Sequence, residues 1–414
     1  MDLSESPPLR ESPGIPALLR RHCQQAAFLW TLRHRYLQRP DVGLEDLSAL
    51  DERLEAQLEG IRTAQARGWR SCREALADAG CGEVFVACLM GLESDARERF
   101  LPLLDAVDAE PAWWPACAGA LAWASAQDLQ GVARLLLESA SPLRRRAGVA
   151  ACALHRVDPG AVLRTLCNDE APATAARALR AAGELGRGDL RDECLRHLRS
   201  PHAELRFWAG WAAVMLGDRD DALRALARVV LEDDLRRPRA LRTLLRAAPL
   251  EQCRQLLSRL AREPASQRLL LAGIGWLGDV HYVPWLIAQA QQPAAARQVG
   301  ESWLLITGAD IVDSALQGEA ASPPDCADDV GLPVPDARKL AAWWQAHGGG
   351  LRAGTPLFLG GEPSAERCAG VLRQGKQRQR MLAAEMLALL RPGRVLFEPR
   401  APAWRQHHLL ARGP

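Results

Sequence analysis

A helix-stopping dipeptide recurs along this chain, and its period constrains the fold more than any other sequence feature. The dipeptide Leu-Gly ends at Gly186 and again at Gly217, 31 residues later. It returns at Gly278, 61 residues after Gly217, and Gly308, here after a threonine, occupies the next position. Proline fits the first turn of a helix, where its missing N–H has no partner. Prolines keep the same rhythm, at Pro142, Pro172, Pro201, Pro264 and Pro293.

Each interval between these marks predicts two helices. In the copy over residues 202–233, the residues before the glycine follow helical spacing at Leu205, Ala209, Ala212, Ala213 and Leu216. Those after it do the same at Ala222, Leu223, Leu226, Val229 and Val230. A two-helix repeat of roughly 30 residues is typical of an α-solenoid. We expect about six antiparallel helix pairs over residues 141–311, with weaker copies before them.

The flanking regions complete an all-α prediction. Residues 1–14 are rich in proline and acids, which predicts a disordered tail, and residues 15–80 predict an N-terminal helical region. The HEAT-like solenoid is expected over residues 81–312. Residues 313–337 are rich in Pro, Asp and Gly and indicate a linker or long loop, and residues 338–414 indicate a small, mostly helical C-terminal extension.

Composition excludes several classes of function. The net charge of +2 gives no overall basic field for nucleic acid. The first residues lack the apolar core of a secretory signal, and no stretch approaches the ~20 apolar residues of a membrane span. The eleven cysteines are scattered and include no C-x-x-C. We therefore expect a reduced, cytoplasmic protein without membrane insertion.

The motifs that could indicate catalysis or ligand binding are better explained by helix packing and solvent exposure. The stretch from Gly273 to Gly278 matches G-x-G-x-x-G, but the repeat register puts Gly273 and Gly275 inside a helix. His407 and His408 lie in a polar stretch that favours solvent exposure over metal binding. No zinc spacing, nucleophile elbow or P-loop occurs. The sequence predicts no catalytic, cofactor-binding or metal-binding residue, so we expect a protein that is not an enzyme.

Two groups of residues are candidates for binding a protein partner. Trp208 and Trp211 fall outside the apolar stripe of their helix, so they either pack against the next repeat or anchor a partner. Arg239, Arg242 and Arg246 share one helix face, so they form either a solvated face or a surface for an acidic partner. Substitutions at a surface of this kind are expected to leave folding nearly unchanged.

The repeat unit resembles the short HEAT repeat of phycobilin-lyase-like proteins. The matching residues are Leu205-Arg206, Ala209, Ala212, Leu216-Gly217-Asp218 and Ala222-Leu223-x-x-Leu226. The flanks AAFLWTLR, LDERLEAQLEGIRTA and WW…GTPLFLG…LRQGKQRQRMLAAEMLALL…APAWRQ are similar to a bacterial HEAT-repeat family. Members of that family tend to be encoded beside type VI secretion genes, near PAAR-like tip proteins and effector adaptors.

The resemblance implies an accessory protein of type VI secretion that binds an effector or tip protein. Such a protein would act as an adaptor or chaperone, or as an immunity protein, and its C-terminal segment would cap or regulate the binding face. Two alternatives stay open at this point. One is a lyase-type or cofactor-handling protein, by analogy with the repeat. The other is a generic scaffold outside secretion.

Overall fold

The computed structural model describes residues 14–319, 323–324, 326–352 and 354–413. Within these ranges the chain is all-α, as predicted, and its only extended pairings are isolated bridges between Gln317 and Pro335 and between Phe358 and Gly361. The predicted disordered tail lies outside the described residues except for Gly14, which begins the first helix. None of the described helices combines the length and the apolar character needed to cross a membrane.

The α-helices up to α18 follow one another with short connections, and longer stretches precede α19 and α20. They are α1 (Gly14–Tyr36), α2 (Leu44–Thr63), α3 (Ala66–Glu74), α4 (Cys81–Asp95), α5 (Leu101–Asp105), α6 (Trp114–Trp123), α7 (Val132–Leu137), α8 (Pro142–Leu154), α9 (Val162–Leu166), α10 (Pro172–Glu184), α11 (Arg191–Arg196), α12 (Ala203–Met215), α13 (Asp221–Glu232), α14 (Arg237–Ala247), α15 (Leu250–Leu260), α16 (Gln267–Leu277), α17 (Val283–Gln289), α18 (Pro293–Thr307), α19 (Ala337–His347), α20 (Ala365–Gln374), α21 (Gln377–Leu390) and α22 (Ala403–Arg412).

Short 3₁₀ segments and one π-helical turn stand between or extend these helices. The 3₁₀ segments are Ala75–Asp78, Ala106–Asp108, Pro111–Trp113, Gly188–Leu190, His197–Arg199, Pro264–Ser266, Val280–Tyr282, Ala327–Asp329 and Gly348–Gly350, and the π-helical turn is Ala96–Phe100. The chain divides into two compact units. The first holds the described residues up to Arg35 together with Leu47–Leu135, and the second holds Tyr36–Asp46 and the chain from Leu136 onward.

The first unit is a helical body with its own core. Helices α4 and α6 pack on each other, and Phe85 of α4 is fully buried between Trp30 and Trp123. The buried thiols of Cys88 and Cys117 lie 3.4 Å apart at the same helix contact. Within residues 15–80 the structure has helices α1, α2 and α3, and the first unit continues beyond residue 80 as far as Leu135.

The second unit stacks its helices in chain order. Helix α8 packs on α10, α10 on α12, α12 on α14, α14 on α16, and α16 on α18. Helices α9, α11, α13, α15 and α17 pack against members of this row. The region over residues 141–311 thus holds five helix pairs and a final single helix, where the sequence predicted about six pairs.

Small residues allow neighbouring helices in this row to approach closely. A Cβ added to Gly183 of α10 would lie 3.0 Å from the Cα of Ala212 in α12. A Cβ on Gly275 of α16 would lie 2.8 Å from the Cα of Ser302 in α18. The structural interpretation of the G-x-G-x-x-G match is therefore confirmed, because its first two glycines lie inside α16 and serve packing.

The repeated glycines end helices, as their period predicted. Their φ angles are positive at Gly186, Gly217, Gly278 and Gly308, a backbone conformation that other L-residues adopt only with strain. Two observations require glycine at position 278: its φ is +77°, and a Cβ would overlap the carbonyl oxygen of Leu357. The repeated glycine thus ends a helix in each copy, and at Gly278 it also allows the close approach of Leu357.

The predicted linker is tethered to its surroundings at several points. The Arg268 guanidinium binds Asp329 with two hydrogen bonds of 2.8 and 2.9 Å. The Gly318 amide donates to the carbonyl of Val334 at 2.9 Å. Helices α19 to α22 follow it. We use "C-terminal segment" below for residues 338–413.

Candidate functional site

The predicted partner-binding residues lie together on one face of the second unit. We call Trp208, Trp211, Arg239, Arg242 and Arg246 the arginine–tryptophan face. The three arginines share one side of α14, as their spacing predicted, and the two tryptophans come from the adjacent α12. Trp208 and Trp211 are only 8% and 5% exposed, which agrees with the packing alternative for these two side chains. The C-terminal segment of the same chain covers them.

Glu385 of α21 is the centre of this contact. One of its carboxylate oxygens accepts a hydrogen bond from Arg242 Nε at 2.8 Å. The other accepts from the Thr243 hydroxyl and, at 3.4 Å, from Trp211 Nε1. Glu385 is only 4% exposed, so this ion pair is sheltered from water. The face therefore binds an acidic group, and that group belongs to the same chain.

Arg246 and Arg239, the outer two of the three arginines, have different neighbours. Arg246 donates to the carbonyl of Leu357 at 3.5 Å and lies 5.6 Å from the centre of the Phe358 ring. Burial lowers the pKa of Arg246 to about 10. Arg239, at the other end, stacks over the Trp208 ring at 5.2 Å, and Arg180 of α10 stacks over the same ring at 4.5 Å.

A second buried acid, Glu184 of α10, lies beside this face. It receives hydrogen bonds from Arg177 at 3.0 Å and from Arg180 at 2.7 Å, and Arg156 lies 3.8 Å away. Burial alone raises the pKa of Glu184, but Arg177, Arg180 and Arg156 outweigh that effect and hold the pKa well below its usual range. Glu184 therefore stays ionised in the folded protein.

Backbone hydrogen bonds fix the C-terminal segment to the helix ends. The amides of Leu357 and Leu359 donate to the carbonyls of Gly278 and Leu305 at 2.8 and 2.7 Å. The Leu396 amide donates to the carbonyl of Glu184 at 2.9 Å, and Leu396 in turn accepts from Arg156 Nε at 2.6 Å. The segment is thus bound by main-chain groups at both ends of the face and by Glu385 in the middle.

Glu385 and Glu184 are the functional residues that the sequence analysis did not select. Each is a single acid with apolar residues or glycine on both sides, Glu385 in MLAAEMLALL and Glu184 in AAGEL. An acid flanked by Ala, Met and Leu on a packed helix must be buried, and a buried carboxylate requires a cation. That pattern is the signal by which both residues could have been found.

The pKa of Glu184 leads to a pH-dependent prediction. Because its pKa is lower in the folded than in the unfolded chain, its stabilising effect is present above the unfolded pKa of about 4.3 and is lost as the pH falls toward the folded value. We expect Glu184→Gln to remove up to about 1.4 kcal/mol per pH unit from the slope of unfolding free energy below about pH 5. Urea titrations between pH 3 and pH 7 measure this slope.

Glu232→Gln is the matched control, because Glu232 is exposed at the end of α13. Its pH profile is expected to run parallel to that of the wild type. Equal slopes for Glu184→Gln and the wild type would contradict the assignment of a persistently ionised Glu184.

The other candidate groups do not assemble into a chemical site. His407 and His408 lie on α22 and are exposed to solvent. Nine of the eleven cysteines are buried and none is in a disulfide, as expected for core thiols. In the described part of the chain, no group of three or more His, Cys, Asp or Glu side chains is placed to hold a metal ion.

No protein-family model matches the chain. No curated protein and no solved structure matches it either.

Proposed function

We propose that this chain is a non-catalytic, HEAT-like α-solenoid whose arginine–tryptophan face binds a segment of a partner protein. We further propose that it serves bacterial type VI secretion from the cytoplasm. In that role it would hold a secreted effector or a PAAR-like tip protein, as an adaptor or chaperone or as an immunity protein. The serial packing of α8 to α18 supports the solenoid, and the likeness of the flanking motifs supports the link to secretion.

The observation that carries this proposal is that the face already has a polypeptide bound to it. Glu385 supplies one buried acid to Arg242, and α21 covers the two tryptophans beside it. A buried Trp and Arg cluster is the composition that dominates protein-binding hot spots. The C-terminal segment is therefore a built-in example of the ligand that this face recognises.

A partner would bind by exchange with the C-terminal segment. It would present an acidic side chain to Arg242 and apolar side chains to the two tryptophans, in place of Glu385 and its neighbours. The C-terminal segment would then act as an internal competitor that lowers the affinity for weak partners. This mode of binding predicts opposite effects for substitutions on the two sides of the ion pair.

The test is affinity capture from the producing strain with full-length baits, followed by mass spectrometry. Glu385→Gln weakens the internal competitor and leaves the face intact, so it is expected to capture more of an effector or tip protein than the wild type. Arg242→Met removes the arginine of the face that binds Glu385. It is expected to reduce capture by roughly thirtyfold, the effect of losing a hot spot of about 2 kcal/mol.

A charge swap separates binding from folding. Arg242→Glu combined with Glu385→Arg restores the internal ion pair but reverses the charge that a partner meets. This double variant is expected to melt closer to the wild type than either single variant does, because the ion pair is restored although Thr243 and Trp211 Nε1 lose their acceptor. It is also expected to lose the partner. Arg228→Glu, on an exposed position of α13, is the matched surface control and is expected to retain it. Capture of the same secretion component by the charge-swapped protein at wild-type level would overturn this assignment, as would the absence of any such component from all baits.

A further inference from the structure

A small cavity lies between the arginine–tryptophan face and the C-terminal segment. We call it the Arg239 pocket, and its volume is about 70 Å³. Helices α10, α12, α14 and α21 and the stretch from Leu396 to Arg400 line it. One water needs about 10–15 Å³ of such volume, so the pocket has room for a few waters or one tetrahedral ion. Sites for drug-sized ligands, at about 300–1,000 Å³, are much larger.

The lining of this pocket is rich in cations. Its positively charged residues are Arg180, Arg239, Arg242 and Arg400. Its negatively charged residues are Glu184, Glu385 and Glu398. Each of the three acids is already bound by an arginine. In two cases an arginine outside the lining takes part, since Arg177 binds Glu184 and Arg156 binds Glu398 at 3.1 Å. The acids of the pocket are therefore shared with further guanidinium groups.

Arg239 is the group left without an acid. Its guanidinium lies over the Trp208 ring, and among the described residues no hydrogen bond or ion pair reaches it. Burial and the nearby charges of Arg180, Arg400 and Arg242 lower the pKa of Arg239 to about 9. A half-buried cation without a counter-charge is unfavourable, and an anion bound beside it would offset that cost.

We infer that the Arg239 pocket binds a small oxyanion of the phosphate or sulfate type. Guanidinium groups present their N–H donors in the planar arrangement that suits such oxygens. The ion would lie between Arg239 of α14 and Arg400 of the C-terminal segment, so it would join the segment to the face. Binding of the ion and packing of the C-terminal segment on the face are then coupled, because the pocket exists only when the segment covers the face. This inference does not depend on a protein partner or on a role in secretion.

The same chemistry can come from a free ion or from the phosphoryl group of a small phosphomonoester. The two sources are distinguished by titrating the full-length protein with inorganic phosphate and, separately, with glycerol 3-phosphate. Both titrations are done by calorimetry in chloride buffer at constant ionic strength. Saturable binding of phosphate alone indicates a free ion, and binding of both compounds indicates a phosphomonoester ligand.

Arg239→Met is the deciding variant, because methionine keeps an unbranched apolar side chain over Trp208 and removes only the charged end. We expect at least tenfold weaker phosphate binding in this variant and loss of the phosphate-dependent rise in melting temperature. Arg228→Met, on the exposed side of α13, is the matched control and is expected to bind as the wild type does. Arg239→Lys keeps the charge and is expected to retain part of the binding.

Two results would overturn the inference. The first is the absence of saturable binding of either compound to the wild type. The second is equal binding by the wild type and by Arg239→Met, which would place the ion elsewhere. The melting curve without phosphate shows whether Arg239→Met is folded. If it is not, Arg239→Lys and Arg239→Gln provide the comparison, and equal phosphate affinity in these two would reject the charge-dependent site.

Discussion

Replacing Glu385 by alanine is expected to lower the free energy of unfolding by about 3–5 kcal/mol, the usual effect of breaking a buried ion pair from one side. The change leaves the Arg242 guanidinium, the Thr243 hydroxyl and Trp211 Nε1 without their shared acceptor. Because Glu385 is 4% exposed, water cannot readily take its place. Urea denaturation at neutral pH measures the loss.

The control for this prediction is Glu366→Ala, an exposed glutamate in the neighbouring helix α20. It is expected to change the free energy of unfolding by less than about 0.5 kcal/mol. A double-mutant cycle with Arg242→Met isolates the pair, and a coupling energy near zero would show that the ion pair does not hold the C-terminal segment in place. Loss of stability in both Glu385→Ala and Glu366→Ala would instead point to a general sensitivity of this region.

Gly278→Ala is expected to lower the free energy of unfolding by about 2–5 kcal/mol, through two separable effects. The left-handed backbone conformation costs about 1–2 kcal/mol for a residue with a Cβ. Overlap of that Cβ with the Leu357 carbonyl adds an overpacking penalty of about 1–3 kcal/mol. The same overlap disturbs the hydrogen bond from the Leu357 amide to the carbonyl of residue 278, at 2.8 Å in the native chain.

Gly160→Ala separates the two effects. Gly160 has φ of +76°, nearly the value of +77° at Gly278, but a Cβ at this position would meet no atom within 4 Å. We therefore expect it to show the backbone effect alone, about 1–2 kcal/mol. Thermal and urea denaturation of the two variants side by side gives the comparison. Equal destabilisation would mean that the C-terminal segment withdraws from Gly278 at little energetic cost.

The periodic features of the second unit could be predicted from the sequence because they are local. A glycine that ends a helix acts through its own φ, and a small residue at a fixed helical position acts through the contact that every repeat makes with the next. For this reason the stops at Gly186 and Gly278 and the packing role of Gly275 follow from the repeat register alone. The shared face of Arg239, Arg242 and Arg246 follows from helical spacing in the same way.

The cover over that face could not be predicted in this way because it joins distant parts of the chain. Arg242 and Glu385 are 143 residues apart, and Trp211 and Glu385 are 174 apart. Helical periodicity gives the direction of a side chain on its own helix but not the identity of the segment that packs on it. The two tryptophans lie outside the apolar stripe of α12 because a second apolar surface, supplied by α21 and by Phe397, covers them. Their position outside that stripe was therefore informative, although it left open whether a partner or the chain itself provides the contact.

The distance in sequence between Arg242 and Glu385 also has a consequence in time during synthesis. The chain is made from its N-terminus, so Arg242 is added 143 residues before Glu385. At a translation rate of about 5–20 residues per second, that interval is on the order of ten seconds. Through this interval Trp208 and Trp211 have no cover from the same chain, and Arg242 has no carboxylate from α21. Every newly made copy therefore passes through a state in which the face is open.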